Sequence, residues 1–185
     1  MRWSFAKIIG RAPVASTLDG RRDSAMILFA KNLLFTLIVP GTIGVYVPLL
    51  LAPGRPVAEG PIFLSALALL ALGGVIYAWC VWDFATFGRG TPAPIDEPKK
   101  LVVRGLYRYT RNPIYVGVLT VILGWAVMFQ ERSLLIYAFW VGLFFHLLVV
   151  LHEEPRLREL FGAEYHDYCA KVGRWLPRFP RGPAV

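Results

Sequence analysis

The chain has 185 residues, of which 56% are hydrophobic and only 17% are charged, and its mean hydropathy is +0.53. Soluble domains carry about 25% charged residues, so this composition excludes an ordinary soluble domain and predicts one all-α integral membrane domain over residues 1–185. The net charge of +8 does not indicate nucleic-acid binding. The cations lie between apolar runs, where they set membrane topology and contact anionic lipid headgroups.

Four apolar runs follow a polar, basic segment at residues 1–24. They cover residues 25–51, 62–87, 114–129 and 134–151. A bilayer core about 30 Å thick requires about 20 apolar residues for one helical span. We therefore predict four transmembrane helices, the first two within residues 25–87. The third and fourth form a hairpin with a tight turn, and an amphipathic cytoplasmic helix follows at residues 153–172.

Positive charge lies on one side of this arrangement. Most of the 20 Lys and Arg residues fall in the N-terminal segment, in a polar loop at residues 88–112 and after the fourth span. Four spans place these three segments on the same side, and the positive-inside rule makes that side, with both termini, cytoplasmic. Pro40 and Gly41 leave a five-span alternative open, which would move the N-terminal cations to the other side.

The polar loop leads into the segment YRYTRNPIYVGV at residues 107–118. Pro113 suits the first turn of a helix, since no N–H partner is needed there, and the residue before a proline favours an extended backbone. Arg111 and its neighbouring arginines fit membrane anchoring and headgroup contact. Together with Asn112 and Tyr115, Arg111 is also a candidate site residue at the cytoplasmic face.

The second candidate segment begins where the fourth span ends. Glu153 and Glu154 precede a proline and suit the positive end of a helix dipole, and Glu154 and Arg158 are i, i+4 partners. An apolar and aromatic stripe at helical spacing follows, formed by Leu157, Leu160, Phe161, Tyr165 and Tyr168. Such a stripe indicates either a packing face or one wall of a binding site.

Three ionisable residues lie within the spans or near their ends. Lys31 and Asp83 would form an ion pair if their helices pack together, and His146 lies in the fourth span. Ionisable groups inside a membrane are candidates for function. A single histidine there also fits a hydrogen-bonded contact between helices.

The segments GLYRYTRNPIYVG and HEEPRLRELFGAEYHDYCAKVGRWLPR resemble the isoprenylcysteine carboxyl methyltransferase family, its bacterial members and the related phospholipid methyltransferases. The resemblance covers residues 92–178. It implies a membrane enzyme with S-adenosyl-L-methionine as cofactor, bound by the hairpin and C-terminal helix at residues 113–178. The catalytic residues that it implies are Arg111, Asn112 and Glu154. The cofactor-binding residues that it implies are Tyr107, Arg111, Asn112, Pro113, Tyr115, Gly117, Glu153, Glu154, Tyr165 and Tyr168.

Two positions near these motifs matter for the resemblance. Family members commonly carry His where this chain has Asn112. Asparagine donates and accepts hydrogen bonds but does not titrate, so a role as general base is doubtful at this position. Arg178 matches the basic residue that closes the second motif.

The resemblance implies a lipid-like or small hydrophobic methyl acceptor, whose reacting group is a carboxylate, an amine or a thiol. We expect the membrane as a partner, no nucleic acid, no metal site and, from the Gly-, Ala- and Arg-rich composition, a bacterial inner membrane. The oligomeric state is open. Two alternatives are an NADPH-dependent steroid-reductase-like enzyme, which Ile114 and Val118 disfavour, and a non-catalytic scaffold of the same fold.

Overall fold

The computed structural model describes residues 34, 36, 38–88 and 101–177. These residues form five main helices: α1 (Ile38–Leu51), α2 (Gly60–Asp83), α3 (Pro113–Phe129), α4 (Arg132–Leu148) and α5 (Glu154–Lys171). Three π-helical segments and one 3₁₀ turn accompany them, at Thr42–Tyr46, Phe84–Gly88, Val149–Glu153 and Gly105–Arg108. Over the described ranges there is no β-strand, so the predicted all-α class is confirmed there.

Within the described residues, two helices are long and apolar enough to cross a membrane. They are Gly60–Phe87, with 28 residues, and the continuous helix Arg132–Lys171, with 40 residues. α1 and α3 are apolar but shorter as described. The predicted number of four spans therefore remains a prediction, as does the topology based on it. The helix at Pro40 and Gly41 continues into the π-helical segment without a break, which gives no support to the five-span alternative at this point.

The local sequence explains where the predicted hairpin begins and turns. Pro113 occupies the first turn of α3, where its missing N–H leaves no hydrogen bond unmade. Gln130 follows the last residue of α3 and adopts the left-handed conformation typical of a helix C-cap. The side chain of Glu131 then accepts a hydrogen bond from the Ser133 amide and caps α4. The third and fourth predicted helices are thus antiparallel neighbours.

The helices pack through two different kinds of contact. α3 and α4 enclose an apolar cluster of Val118, Ile122, Ala138, Val141 and Phe145. α2 and α3 meet at glycines: a Cβ atom at Gly73 would lie 2.7 Å from the carbonyl oxygen of Gly117. The outward faces remain apolar, with Trp82 on α2 68% exposed, as expected for a surface against lipid.

α5 is broken at one position. Gly162 has φ 48° and ψ −120°, a conformation that a residue with a side chain rarely adopts. The second half of α5 carries Tyr165 and Tyr168, which pack with Val172 into a small cluster of their own. Residues 172–175, which we call the closing segment, then run back toward the helix bundle, where Trp175 packs against the α3–α4 cluster.

Candidate functional site

A cleft opens at the end of the bundle where the polar loop meets α3 and α5. Its empty space, counted together with the opening to solvent, is about 690 Å³. Its walls come from the π-helical segments that follow α2 and α4, the loop before α3, the start of α3 and both halves of α5. The lining residues are Phe84, Leu101, Val102, Tyr107, Arg111, Asn112, Ile114, Tyr115, Val149, Glu153, Glu154, Leu157, Tyr165 and Tyr168.

The chain before α3 is fixed by the closing segment. The Arg111 amide donates to the Gly173 carbonyl oxygen at 2.9 Å, and Thr110 and Gly173 form an isolated parallel bridge. The side chains of Thr110 and Asn112 both donate to the Arg174 carbonyl oxygen, at 3.0 and 3.1 Å. These bonds satisfy backbone groups of two irregular segments, which would otherwise be costly to bury.

Glu154 lies at the centre of an arginine cluster. Its side chain is only 3% exposed and contacts Arg111, Arg158 and Arg174. Arg174 binds with two nitrogens, Nε at 2.6 Å and one Nη at 3.0 Å, while Arg111 and Arg158 each lie at 3.1 Å. The predicted i, i+4 pair with Arg158 is therefore confirmed. Three positive charges around one carboxylate leave an excess of positive charge on this wall.

The charges around Glu154 decide its protonation state. Burial by itself raises the pKa of this carboxyl group. The hydrogen bond from Arg174 and the charges of Arg111, Arg174 and Arg158 outweigh burial and lower the pKa below its ordinary value. Glu154 is therefore ionised at neutral pH and is engaged with protein groups on both oxygens.

Glu153 has the opposite environment. The hydroxyl of Tyr115 donates to Glu153 Oε1, and no arginine or lysine of the described residues forms an ion pair with it. Burial raises the pKa of Glu153 by more than the Tyr115 hydrogen bond and nearby His152 lower it. The cleft thus contains two adjacent carboxyl groups, one neutralised by arginines and one that binds a proton more readily than a free glutamate.

Three tyrosines form an aromatic wall of the cleft. Tyr168 donates its hydroxyl to the Tyr107 carbonyl oxygen at 2.7 Å, and the rings of Tyr165 and Tyr168 lie 6.1 Å apart. Burial raises the pKa of all three hydroxyl groups, so they remain neutral. The buried Nε of Arg111 has no hydrogen-bond partner among the described residues. Arg111 lines the cleft, so a ligand bound there would be able to complete the bonding of this guanidinium.

Eight of the ten predicted cofactor-binding residues line this cleft. The other two lie elsewhere: Pro113 is fully buried at the start of α3, and Gly117 faces α2. Among the predicted catalytic residues, Asn112 uses its amide to bond to the closing segment, and Glu154 uses its oxygens to bond to arginines. The structure describes the second motif up to residue 177. Arg178, the last residue of that motif, lies outside the described residues.

The remaining candidates have local partners. His146 accepts a hydrogen bond from the Trp175 indole nitrogen at 3.1 Å. The histidine is therefore hydrogen-bonded, but its partner lies in the closing segment and not on another helix. Asp83 is buried and forms an ion pair with Arg104 at 3.5 Å. Its predicted partner, Lys31, lies outside the described residues. Across the described ranges, no three His, Cys, Asp or Glu side chains are close enough to hold a metal ion.

Sequence reasoning missed two residues near the cleft. Arg174 binds Glu154 with two nitrogens, and Cys169 accepts a hydrogen bond from Arg111 at 2.7 Å. Cys169 lies four residues after Tyr165 and shares its face of α5, a signal that was present in the spacing. Arg174 carried no such signal, because its position depends on how the closing segment turns back.

Comparison with known proteins adds an independent finding. Residues 62–164 match the family model described as phospholipid methyltransferase. Two curated rice proteins, from Oryza sativa subsp. indica and subsp. japonica, are each 35% identical to the chain over 83 residues. Both bear the name "Probable protein-S-isoprenylcysteine O-methyltransferase".

The two comparisons differ in how much they cover. The match to the rice proteins covers 44% of this chain and 43% of each relative, so the chain spans less than half the length of those curated relatives. The family model covers more than half of the chain, including both helices of the hairpin and the first half of α5. The chain therefore belongs to the phospholipid methyltransferase family.

Proposed function

We propose that the chain is an integral membrane methyltransferase that uses S-adenosyl-L-methionine to methylate a lipid-like or small hydrophobic acceptor. The observation that carries the proposal is the cleft. It gathers Arg111 and Tyr115 from the first motif with Glu153, Tyr165 and Tyr168 from the second, although a helical hairpin separates the two motifs in the chain. Family membership supports the same reaction type.

The residues of the cleft fit this cofactor chemically. A sulfonium and an amino group are cationic, and Glu153 offers a carboxyl group without a cationic partner among the described residues. The carboxylate of the cofactor suits the arginine cluster, in which Arg111 Nε is buried and unpartnered in the described part of the chain. Tyr165 and Tyr168 offer aromatic faces for an adenine ring or a cation.

The chain's own residues would then orient the cofactor and the acceptor and exclude water from the cleft. When bound, S-adenosylmethionine supplies an electrophilic methyl group. Val149, Ile114 and Leu157 line the cleft with apolar surface and keep it poor in water, which favours transfer between aligned groups. A carboxylate acceptor needs no base. For an amine or a thiol, Glu153 is the group in the cleft whose raised pKa suits it to accept a proton.

The membrane arrangement follows from the same proposal. With four spans and cytoplasmic termini, the cleft opens to the cytoplasm at the level of the inner-leaflet headgroups of a bacterial inner membrane. A water-soluble cofactor then enters from the cytoplasm. A lipid-like acceptor enters laterally between the spans, since its tail remains in the bilayer.

The first test is calorimetric binding of S-adenosylhomocysteine to the purified chain in detergent. Glu153→Gln removes the carboxyl group that has no arginine or lysine partner among the described residues, and Glu159→Gln makes the same change at a side chain that is 69% exposed. We expect micromolar binding by the native chain, weaker binding by Glu153→Gln and native binding by Glu159→Gln. No binding at millimolar ligand by a folded chain would overturn the proposal, and binding of NADPH instead would favour the reductase alternative.

The acceptor is then identified by activity. Membranes containing the chain are incubated with cofactor carrying a tritium-labelled methyl group, and the label is followed into organic and aqueous extracts. Label in the organic extract, absent from membranes with Glu153→Gln, supports a lipid-like acceptor. Label that remains wholly in the aqueous extract contradicts it.

A further inference from the structure

The closing segment, residues 172–175, lies beyond the residues matched by the family model, which end at 164. It forms neither a helix nor a strand. Yet it receives three hydrogen bonds from the loop before α3: from the Arg111 amide to Gly173, and from the Thr110 and Asn112 side chains to Arg174. Its last residue, Trp175, also donates to His146 on α4. The segment therefore joins the first motif to the helix bundle.

The side chain of Arg174 makes a second connection. It leaves the closing segment and binds both oxygens of Glu154 at the start of α5. Glu154 Oε1 is also the atom that Arg111 contacts at 3.1 Å. Arg111 is thus connected to the closing segment in two ways. Its amide donates to Gly173 directly, and its guanidinium contacts the Glu154 carboxylate, which Arg174 binds.

This geometry matters for binding because Arg111 lines the cleft and its side chain is only 10% exposed. Its Nε is buried without a hydrogen-bond partner in the described part of the chain. A buried donor of this kind is costly unless a ligand or water completes its bonding. The position of Arg111 therefore decides whether the cleft offers a donor to an anionic group.

We propose that the closing segment positions Arg111 for the cofactor, with Arg174 as the positioning residue. This inference rests on the proposed methyltransferase function. Arg174 does not line the cleft and acts through Glu154 and the loop before α3. Asn112 belongs to the same device, since its side chain donates to the Arg174 carbonyl oxygen.

The test compares Arg174→Gln with Arg156→Gln. Both remove one arginine charge, but the Arg156 side chain is 51% exposed and forms an ion pair with Glu159, which is 69% exposed. We expect Arg174→Gln to weaken S-adenosylhomocysteine binding by at least about tenfold, the effect of losing one charged hydrogen bond, and to raise KM for the cofactor more than it lowers kcat. Arg156→Gln should bind as the native chain does.

A second readout requires no ligand. The Arg111 amide is protected by its bond to Gly173, so its hydrogen exchange reports whether the closing segment is in place. We expect faster exchange in the peptide containing residues 109–113 for Arg174→Gln and unchanged exchange for Arg156→Gln. Asn112→Asp, which loses the amide donor, should accelerate exchange more than Asn112→His, which retains a donor.

The outcomes separate this inference from the function on which it rests. If the native chain binds S-adenosylhomocysteine and Arg174→Gln binds equally well, the positioning role is wrong and the proposed function stands. If Arg174→Gln binds weakly but exchanges at the native rate, Arg174 does not act through Arg111 and the inference is likewise overturned. If the folded native chain binds nothing, the proposed function falls and the cofactor-positioning role falls with it.

Discussion

The cleft and the α2–α3 contact bring distant residues together by opposite means. At one wall of the cleft, Glu154 is bound by three arginines from three separate segments through charge and directed hydrogen bonds. Between α2 and α3, Gly73 and Gly117 lie together because neither has a side chain. The first contact depends on protonation and on the number of charges, whereas the second depends on shape alone.

The charged cluster around Glu154 and the contact between Gly73 and Gly117 therefore tolerate different substitutions. A charged cluster that loses its central carboxylate leaves buried cations uncompensated. A close contact between glycines is lost when a single methyl group is added, because the neighbouring atom is backbone and has little freedom to move. Only the first kind of contact should respond to pH, since only it contains titratable groups.

The largest effect is expected for Glu154→Gln. The substitution preserves shape but removes the one negative charge among Arg111, Arg158 and Arg174, so we expect a loss of about 3 kcal/mol in the free energy of unfolding. Thermal unfolding in detergent measures it. Glu159→Gln is the control, because Glu159 is exposed. A melting temperature equal to that of the native chain would show that the cluster contributes nothing to stability.

A smaller effect is expected at the glycine contact. The added Cβ of Gly73→Ala would lie 2.7 Å from the Gly117 carbonyl oxygen, and the overpacking should cost about 2 kcal/mol. Gly74→Ala is the matched control one residue along the same helix, where a Cβ would meet no atom within 4 Å. Melting temperatures of the two variants provide the measurement. Equal destabilisation by both would mean that helix propensity, and not the contact, causes the loss.

The two carboxyl groups of the cleft should respond to pH in opposite directions. Glu154 has a lowered pKa in the folded chain, so its contribution to stability is present above its ordinary pKa of 4.5 and is lost as the pH falls through the lowered value. Glu153 has a raised pKa, so its contribution is present below 4.5 and is lost as the pH rises through the raised value.

Melting curves of the native chain, Glu153→Gln and Glu154→Gln between roughly pH 2 and pH 8 test this pair, since the Glu154 contribution is lost only below its ordinary pKa. As the pH rises, the native chain should lose stability relative to Glu153→Gln. Relative to Glu154→Gln, it should lose stability as the pH falls. The same sign for both differences would contradict the opposite environments of the two groups. The Gly73→Ala difference should not depend on pH.

The smallest effect is expected for Arg158→Gln. Arg158 contacts the same carboxylate as Arg174, but its side chain is 61% exposed, and exposed ion pairs contribute about 0.5 kcal/mol. We expect a small drop in melting temperature that disappears at high salt, because salt screens exposed charges. A loss as large as that of Glu154→Gln would show that the cluster depends on all three arginines equally.

The motifs allowed most of the cleft to be predicted. Tyr107, Arg111 and Tyr115 from the first motif and Glu153, Tyr165 and Tyr168 from the second all line it. The different roles of Glu153 and Glu154 were not predictable. The two are neighbours of the same residue type, and their difference arises from partners 38 and 20 positions away in the chain, Tyr115 and Arg174. Gly117 was assigned to the cofactor, yet it contacts α2.

The sequence by itself determined the helical character of the chain, the hairpin of α3 and α4 and the two motifs of the cleft. These follow from local rules: long apolar runs, a proline at the first turn of α3 and a capping glutamate before α4. Only the tertiary structure decided that Arg174 and the closing segment complete the arginine cluster and that Asn112 bonds to them. Such contacts depend on the path of irregular segments, which is set by partners far along the chain and leaves no periodic signal in the sequence.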